Sequence, residues 1–202
     1  EDLDEFFAVF TQAGDLTVPL SDHIFALEFE GEGIVDAYVH EGTFVQRPSD
    51  PDAVMPDGFM TISAPADADL IIAATSVVTR SVWPGIDGNL WTSEGAGVGE
   101  RSTFASIGPR RDGYEKPDIA APGEFVVAPL SAGAIYSFDD TRIAPDGSYA
   151  VLRGTSMATA HTTGMVALLL EQNPDLPAAE VVERVREAGV AGFWTRELGY
   201  GV

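Results

Sequence analysis

The richest chemistry lies between Ser148 and Leu170, SYAVLRGTSMATAHTTGMVALLL. Tyr149 to Leu152 reads as a strand, Gly154-Thr155 as a turn, and Ser156 to Gln172 as a helix of small and apolar residues that the pattern predicts to be buried. Ser156 would then sit in the first helical turn, where backbone N–H groups lack an intrahelical acceptor. A hydroxyl exposed at a sharp turn, beside an N–H able to stabilise an oxyanion and within reach of a base, is what nucleophilic serine catalysis needs. A serine at a helix start is also a common cap. Spacing alone leaves both readings open, the cap being the commoner.

No base accompanies this serine. His161 lies five residues further on, roughly 7.5 Å along the helix axis and well round it, too far to take the Ser156 proton; it is expected to be buried and satisfied by a backbone group. His23 and His40 fall in an acidic region where surface or cross-strand positions suffice. Cysteine is absent, which excludes disulfides and thiolate chemistry. The pairs Asp50 with Asp52, Asp67 with Asp69, and Asp139 with Asp140 could offer oxygens to calcium, without the dense acidic loop of a dedicated site. Gly95-Ala96-Gly97-Val98-Gly99 misses the dinucleotide-binding spacing by one position and has no helix after it, so it reads as a loop. Trp83, Trp91 and Trp194 are too scattered for a stacking platform and are expected to pack.

The elements that must position Ser156 divide the chain in two. Residues 1–79 carry 16 acids and one base, Arg47, whereas residues 80–202 carry 16 acids and 10 bases. In the first part, His23 to Phe29, Ile34 to His40 and Gly58 to Ser63 are short β-branched and aromatic runs between Gly, Pro and Asp clusters, which predicts antiparallel strands. Further on, Leu70 to Val78 and Glu124 to Ala128 lack alternation, as expected of strands buried on both faces of a parallel sheet. Ala178 to Ala188 places Val181, Val182 and Val185 on one face of a surface helix opened by Pro177. The reading is an α/β fold: a β-rich segment over 1–64 and a parallel-sheet, helix-ended part over 65–202.

The net charge of −21 across 202 residues, with a single adjacent basic pair (Arg110-Arg111), argues against nucleic-acid binding. No run reaches the ~20 apolar residues of a membrane-crossing helix. The opening residues EDLDEFF hold no secretion signal.

GTSMATAH (Gly154 to His161) resembles the active-site serine motif of the subtilisin-like serine peptidases, the subtilases, with Ala160 where the family usually has Pro. Phe104 to Pro109 (FASIGP) resembles the family's FSSxGP segment, Lys116 to Gly123 (KPDIAAPG) its KPDIxAPG strand and turn, and Gly199-Tyr200-Gly201 its C-terminal turn. These elements stand in family order across roughly residues 58 to 202. The resemblance implies a Rossmann-like parallel sheet and a serine endopeptidase acting on polypeptides, with Ser156 as nucleophile and its N–H as an oxyanion donor. It further implies that Gly154 and Thr155 lie near the site, that Ser106 and Gly108 line the cleft, and that no cofactor is needed for the chemistry, although family members often bind structural calcium.

The family's DTG-type and HGT-type segments, which carry the Asp and His, have no counterpart here. Gly88-Asn89 follows the Leu70 strand, whereas the family's oxyanion Asn precedes it. The chain therefore reads as the C-terminal part of a longer protease, inactive alone and prone to self-association, with residues 1–64 resembling the end of an inserted jelly-roll domain. Its partner would be the N-terminal half bearing Asp and His, and its setting extracellular, cell-envelope or periplasmic. The competing reading is a catalytically dead relative that serves as a protein-binding module.

Overall fold

Strand β1 (Ala74–Val78) and the hydrophobic residue before it, Ala73, form the first buried segment after Leu70. The computed structural model describes residues 58–92, 95–134 and 138–202, within a unit spanning Asp57–Val202. The strands expected over His23 to Phe29 and Ile34 to His40, the two histidines there, the Asp50 and Asp52 pair, and all but residues 58–64 of the segment 1–64 that resembles a jelly-roll domain lie outside the described residues.

The hairpin β2 (Val82–Pro84) and β3 (Leu90–Thr92) follows β1, with Trp83 opposite Trp91. Strand β4 (Ile119–Glu124) then pairs with β1 in parallel, Ala74 opposite Ile119 through Val77 opposite Pro122. Its buried Ile119-Ala120-Ala121 run has no polar alternation, as parallel pairing covered by a helix requires. Strand β5 (Val126–Pro129) pairs antiparallel with β6 (Tyr149–Leu152). Helix α1 (Thr155–Gln172) follows two residues after β6 and lies across both β1 and β4. Helix α2 (Ala178–Glu187) starts after Pro177 and buries Val181, Val182 and Val185, as the spacing predicts. The fold is thus mixed α/β with a parallel strand pair and two helices.

Four expectations need correction. The strand expected from Leu70 begins only at Ala74, and Leu70 and Ile71 are exposed. The backbone ahead of β1 is engaged by side chains: Lys116 Nζ donates to the Ile71 carbonyl, and the Ala73 N–H donates to Asp118 Oδ2 at 2.7 Å. Glu124 to Ala128 is no doubly buried parallel strand. Phe125 adopts φ 55° and breaks the run into the end of β4 and a β5 that alternates between half-buried and exposed. Its ring stacks on Trp83 with centroids 4.3 Å apart, and both pack with Val151. Gly58 to Ser63 forms no strand; Thr61 instead clips onto Ile107, its N–H donating to the Ile107 carbonyl at 2.9 Å and its hydroxyl accepting the Ile107 N–H at 2.9 Å. Finally, α1 buries only Ala158 and Thr162, which lie one turn apart and face the strands, while Leu168 is 63% exposed.

On the other side of β4, the C-terminal turn docks through its backbone: the Tyr200 N–H donates to the Asp118 carbonyl at 3.1 Å and the Ala120 N–H to the Gly201 carbonyl at 2.9 Å. Trp83 and Trp194 pack as expected, each donating its indole N–H to a carbonyl, that of Thr141 at 2.8 Å and that of Pro117 at 2.9 Å.

Candidate active site

Ser156 is the second residue of α1 and is exposed. The N-cap position belongs to Gly154, with φ 155° and ψ 156° and no side-chain capping bond, a backbone region that is essentially glycine's alone. Ser156 therefore does not cap the helix. Thr159, Thr162 and Thr163 each donate their hydroxyl to the carbonyl four residues back, at 2.8–3.0 Å. Ser156 has no helical carbonyl four residues behind it. Among the described residues neither its hydroxyl nor its N–H has a hydrogen-bond partner. The N-terminal end of the helix dipole adds partial positive charge at this spot.

The turn is fixed from below by β4. The Gly154 N–H donates to the Gly123 carbonyl at 2.7 Å, and the Gly154 carbonyl accepts the Met157 N–H at 3.0 Å. Gly123 is the residue that the β1–β4 register skips, Val77 facing Pro122 and Val78 facing Glu124. A Cβ on Gly123 would collide with the Ser76 hydroxyl and stand 2.9 Å from the Gly154 carbonyl oxygen. The Ser76 hydroxyl is in turn bonded to that of Ser102 at 2.7 Å, both fully buried. A chain of close backbone contacts thus runs from β1 through β4 to the turn bearing Ser156.

Charge flanks the Gly123–Gly154 contact. Glu124 follows one glycine and Arg153 precedes the other, with Arg153 Nη1 4.0 Å from Glu124 Oε1. The Glu124 side chain is 7% exposed and that of Arg153 52% exposed. Glu124 Oε2 is buried without a hydrogen-bond partner among the described residues, as is Thr75 Oγ1.

The residues expected near Ser156 are only partly gathered. Gly154 and Thr155 adjoin it by sequence, and the Thr155 carbonyl accepts the Thr159 hydroxyl. Gly108 is buried at the opposite end of β4: its N–H donates to the Arg196 carbonyl at 2.9 Å, and a Cβ there would fall on the Lys116 carbonyl oxygen. Lys116 and Gly123 are seven residues apart, roughly 20 Å at strand rise. Ser106 is exposed, two residues from Gly108. His161 does take a backbone partner, its Nδ1 2.9 Å from the Met157 carbonyl oxygen, but it is exposed and not buried as expected. Its ring lines a cavity of about 260 Å³ with Arg80, Pro122 and Phe125 among others. Asp69 is spent on Arg110 at 2.6 Å, and Asp139 precedes the short 3-10 turn Asp140–Arg142. Among the described residues, no three His, Asp or Glu side chains gather as metal ligands.

Sequence reasoning passed over Glu124, Arg153 and the Ser76–Ser102 pair. The first two meet only because β5 runs antiparallel to β6, with Val126 opposite Leu152, a pairing that local pattern does not reveal.

An α/β scaffold that presents an unspent serine at a glycine-controlled strand-to-helix turn, over the C-terminal end of a parallel strand, defines a hydrolase-like class of site. The chain belongs to the subtilase family of serine peptidases, which it matches over residues 55–201. It is 39% identical over 85 residues to the serine protease AprX of Bacillus subtilis (strain 168), which covers 42% of this chain and 19% of that protein. It is 41% identical over 76 residues to the subtilisin-like protease SBT3.10 of Arabidopsis thaliana, covering 37% and 9%, and 34% identical over 94 residues to pyrolysin of Pyrococcus furiosus, covering 43% and 6%. The aligned stretch spans less than a fifth of each of these relatives.

Proposed function

We propose that the chain supplies the nucleophile of a serine endopeptidase. Ser156 Oγ would attack the scissile carbonyl of a polypeptide, passing its proton to a histidine contributed by another part of the protein. That histidine, oriented by an Asp, returns the proton to the leaving amine as the C–N bond breaks, and water then hydrolyses the acyl-enzyme. The Ser156 N–H is one donor to the oxyanion. Gly154 holds the turn open, and Thr155 carries the chain into the helix. Ser106 and Gly108 would bear on the cleft only through segments that link the two ends of β4.

The observation that carries this reading is the exposed Ser156, whose hydroxyl and N–H are unspent among the described residues, at a turn that only glycines permit. The same reading makes the 202 residues alone inactive, since a serine without its base is a poor nucleophile. It makes residues 1–64 the end of an inserted β domain and the working environment extracellular or envelope-side, where structural calcium would be available. Exposed α1 residues such as Leu168 would be covered by the remainder of the protein.

The test is active-site labelling of the full-length protein with a fluorophosphonate, whose fluoride leaves as the serine oxygen bonds to phosphorus. The adduct is expected on Ser156, with labelling abolished in Ser156→Ala at unchanged thermal stability. An adduct on another serine, or none, removes the assignment. Turnover by the isolated 202 residues that vanishes in Ser156→Ala would overturn the need for an external base.

A further inference from the structure

We infer that Arg153 is a specificity-determining residue that selects polypeptides with an Asp or Glu side chain near the scissile bond; this rests on the peptidase reading above. Arg153 immediately precedes Gly154 and stands three residues before Ser156, so its Cα is at most about 10 Å from that of the serine. In a chain of net charge −21, it places a cation on the turn that presents the hydroxyl.

Its anchoring is unusual. The Glu124 carboxylate beneath it is buried, and one oxygen has no hydrogen-bond partner among the described residues. A buried carboxylate in that condition strongly favours a nearby cation, which tethers the Arg153 side chain to the residue after Gly123, whose carbonyl holds the Gly154 N–H. At 4.0 Å the contact is an ion pair without a hydrogen bond, so among the described residues the five N–H donors of the guanidinium remain unspent.

Other arginines of the chain show what such a side chain holds when saturated. Arg110 bridges Asp69 and Asp112 at 2.6 and 2.5 Å. Arg184 bridges Glu180 and Glu187, both at 3.3 Å. Arg186 bridges Asp118 and Glu183 at 2.7 and 3.2 Å. Each holds two carboxylates at once. Arg153 has one, at 4.0 Å, and its half-exposed side chain leaves the chain three residues before Ser156. The second carboxylate is the substrate's.

The experiment uses octapeptides blocked at both ends, so that only side chains supply a carboxylate, in pairs that exchange Glu for Gln at each of the three positions on either side of the scissile bond. Binding is measured to the full-length Ser156→Ala protein, which requires no turnover. Glu is expected to bind about tenfold more tightly than Gln at one of these positions, as for a partly exposed charge-assisted hydrogen bond. Arg153→Met should bring that ratio to about one and Arg153→Lys should keep part of it. In the active protein the same ratio should appear in KM and not in kcat. Equal binding within every pair, or a preference that survives Arg153→Met, overturns the inference. A Glu preference that requires Arg153 in a protein that neither cleaves peptides nor labels at Ser156 supports the inference and removes the peptidase reading alone.

Discussion

At the start of β4, Lys116 and Asp118 are fully buried and hydrogen-bonded, Asp118 through both its oxygens, whereas at its end Glu124 and the neighbouring Gly154–Ser156 turn leave donors and acceptors open. Asp118 Oδ2 accepts from Lys116 Nζ at 2.7 Å and from the Ala73 N–H, while Oδ1 accepts from Arg186 Nε at 2.8 Å. Burial pulls the Arg186 pKa down, and its hydrogen bonds to Asp118 and Tyr114 more than reverse that, so the guanidinium stays cationic. This node ties α2, β4 and the residues before β1 together. The other end is built from backbone contact between glycines, with an exposed hydroxyl, a free N–H and a half-satisfied ion pair above it. One strand therefore has an end devoted to cohesion and an end that keeps its polar groups available, the latter being its C-terminal end, where ligands collect on open α/β sheets.

If the contrast holds, the largest loss of stability comes from the spent end. Asp118→Ala would strand the Lys116 ammonium in the interior and free Arg186 and the Ala73 N–H at once. Removing one partner of a buried pair costs about 3–5 kcal/mol, enough to unfold a marginal domain. Urea unfolding should show that loss. Lys116→Met should cost less, because Asp118 keeps Arg186 and the Ala73 N–H. A loss below about 1 kcal/mol for Asp118→Ala would mean that the node is not what holds this end.

At the open end the two glycines should fail for different reasons. Gly123→Ala puts a methyl group 2.7 Å from Ser76 Cβ and 2.9 Å from the Gly154 carbonyl oxygen, so β4 or the turn must shift. About 2–3 kcal/mol of overpacking is expected, together with slower labelling of Ser156. Gly154→Ala has space, its nearest neighbour being Met157 Sδ at 3.6 Å, but a side chain at φ 155° is strained by about 1–3 kcal/mol. Ser76→Gly should relieve part of the first defect and none of the second, which double-mutant unfolding curves would reveal. Equal relief of both would erase the distinction between steric and conformational control.

How far the sequence announced these two ends differs in an instructive way. The strand-to-helix turn at Gly154 to Ser156, the α2 face of Val181, Val182 and Val185, and β6 are local patterns, and they were legible. Glu124 to Ala128 reads as one doubly buried parallel strand because pattern does not reveal the left-handed conformation of a bulky residue such as Phe125, which splits it. The exposure of α1 was misjudged because residues small enough to pack anywhere carry no facial signal. The pairing of Glu124 with Arg153 and of Asp118 with Arg186 spans 29 and 68 residues, distances over which only the folded topology decides who meets whom. Nothing in their local pattern marks Lys116 and Asp118 as interior, yet both are fully buried.

The smallest effect concerns the margin of the spent end, and it is read by pH. The Tyr200 hydroxyl donates to Glu115 Oε2 at 2.6 Å. That hydrogen bond, assisted by partial burial and the Glu115 charge, pushes the Tyr200 pKa up to about 12, although Arg186 opposes it. Because the folded-state value lies above the ordinary value of 10.0, folding favours the protonated phenol. Its contribution to stability is complete below pH 10 and is lost as the pH climbs from about 10 through 12. An ultraviolet titration should show one of the five tyrosines ionising late, absent in Tyr200→Phe and moved back towards 10 in Glu115→Gln. Labelling of Ser156 should not change in either variant, since both substitutions lie at the opposite end of β4. A change in labelling would show that the two ends communicate through the strand and are not independently built.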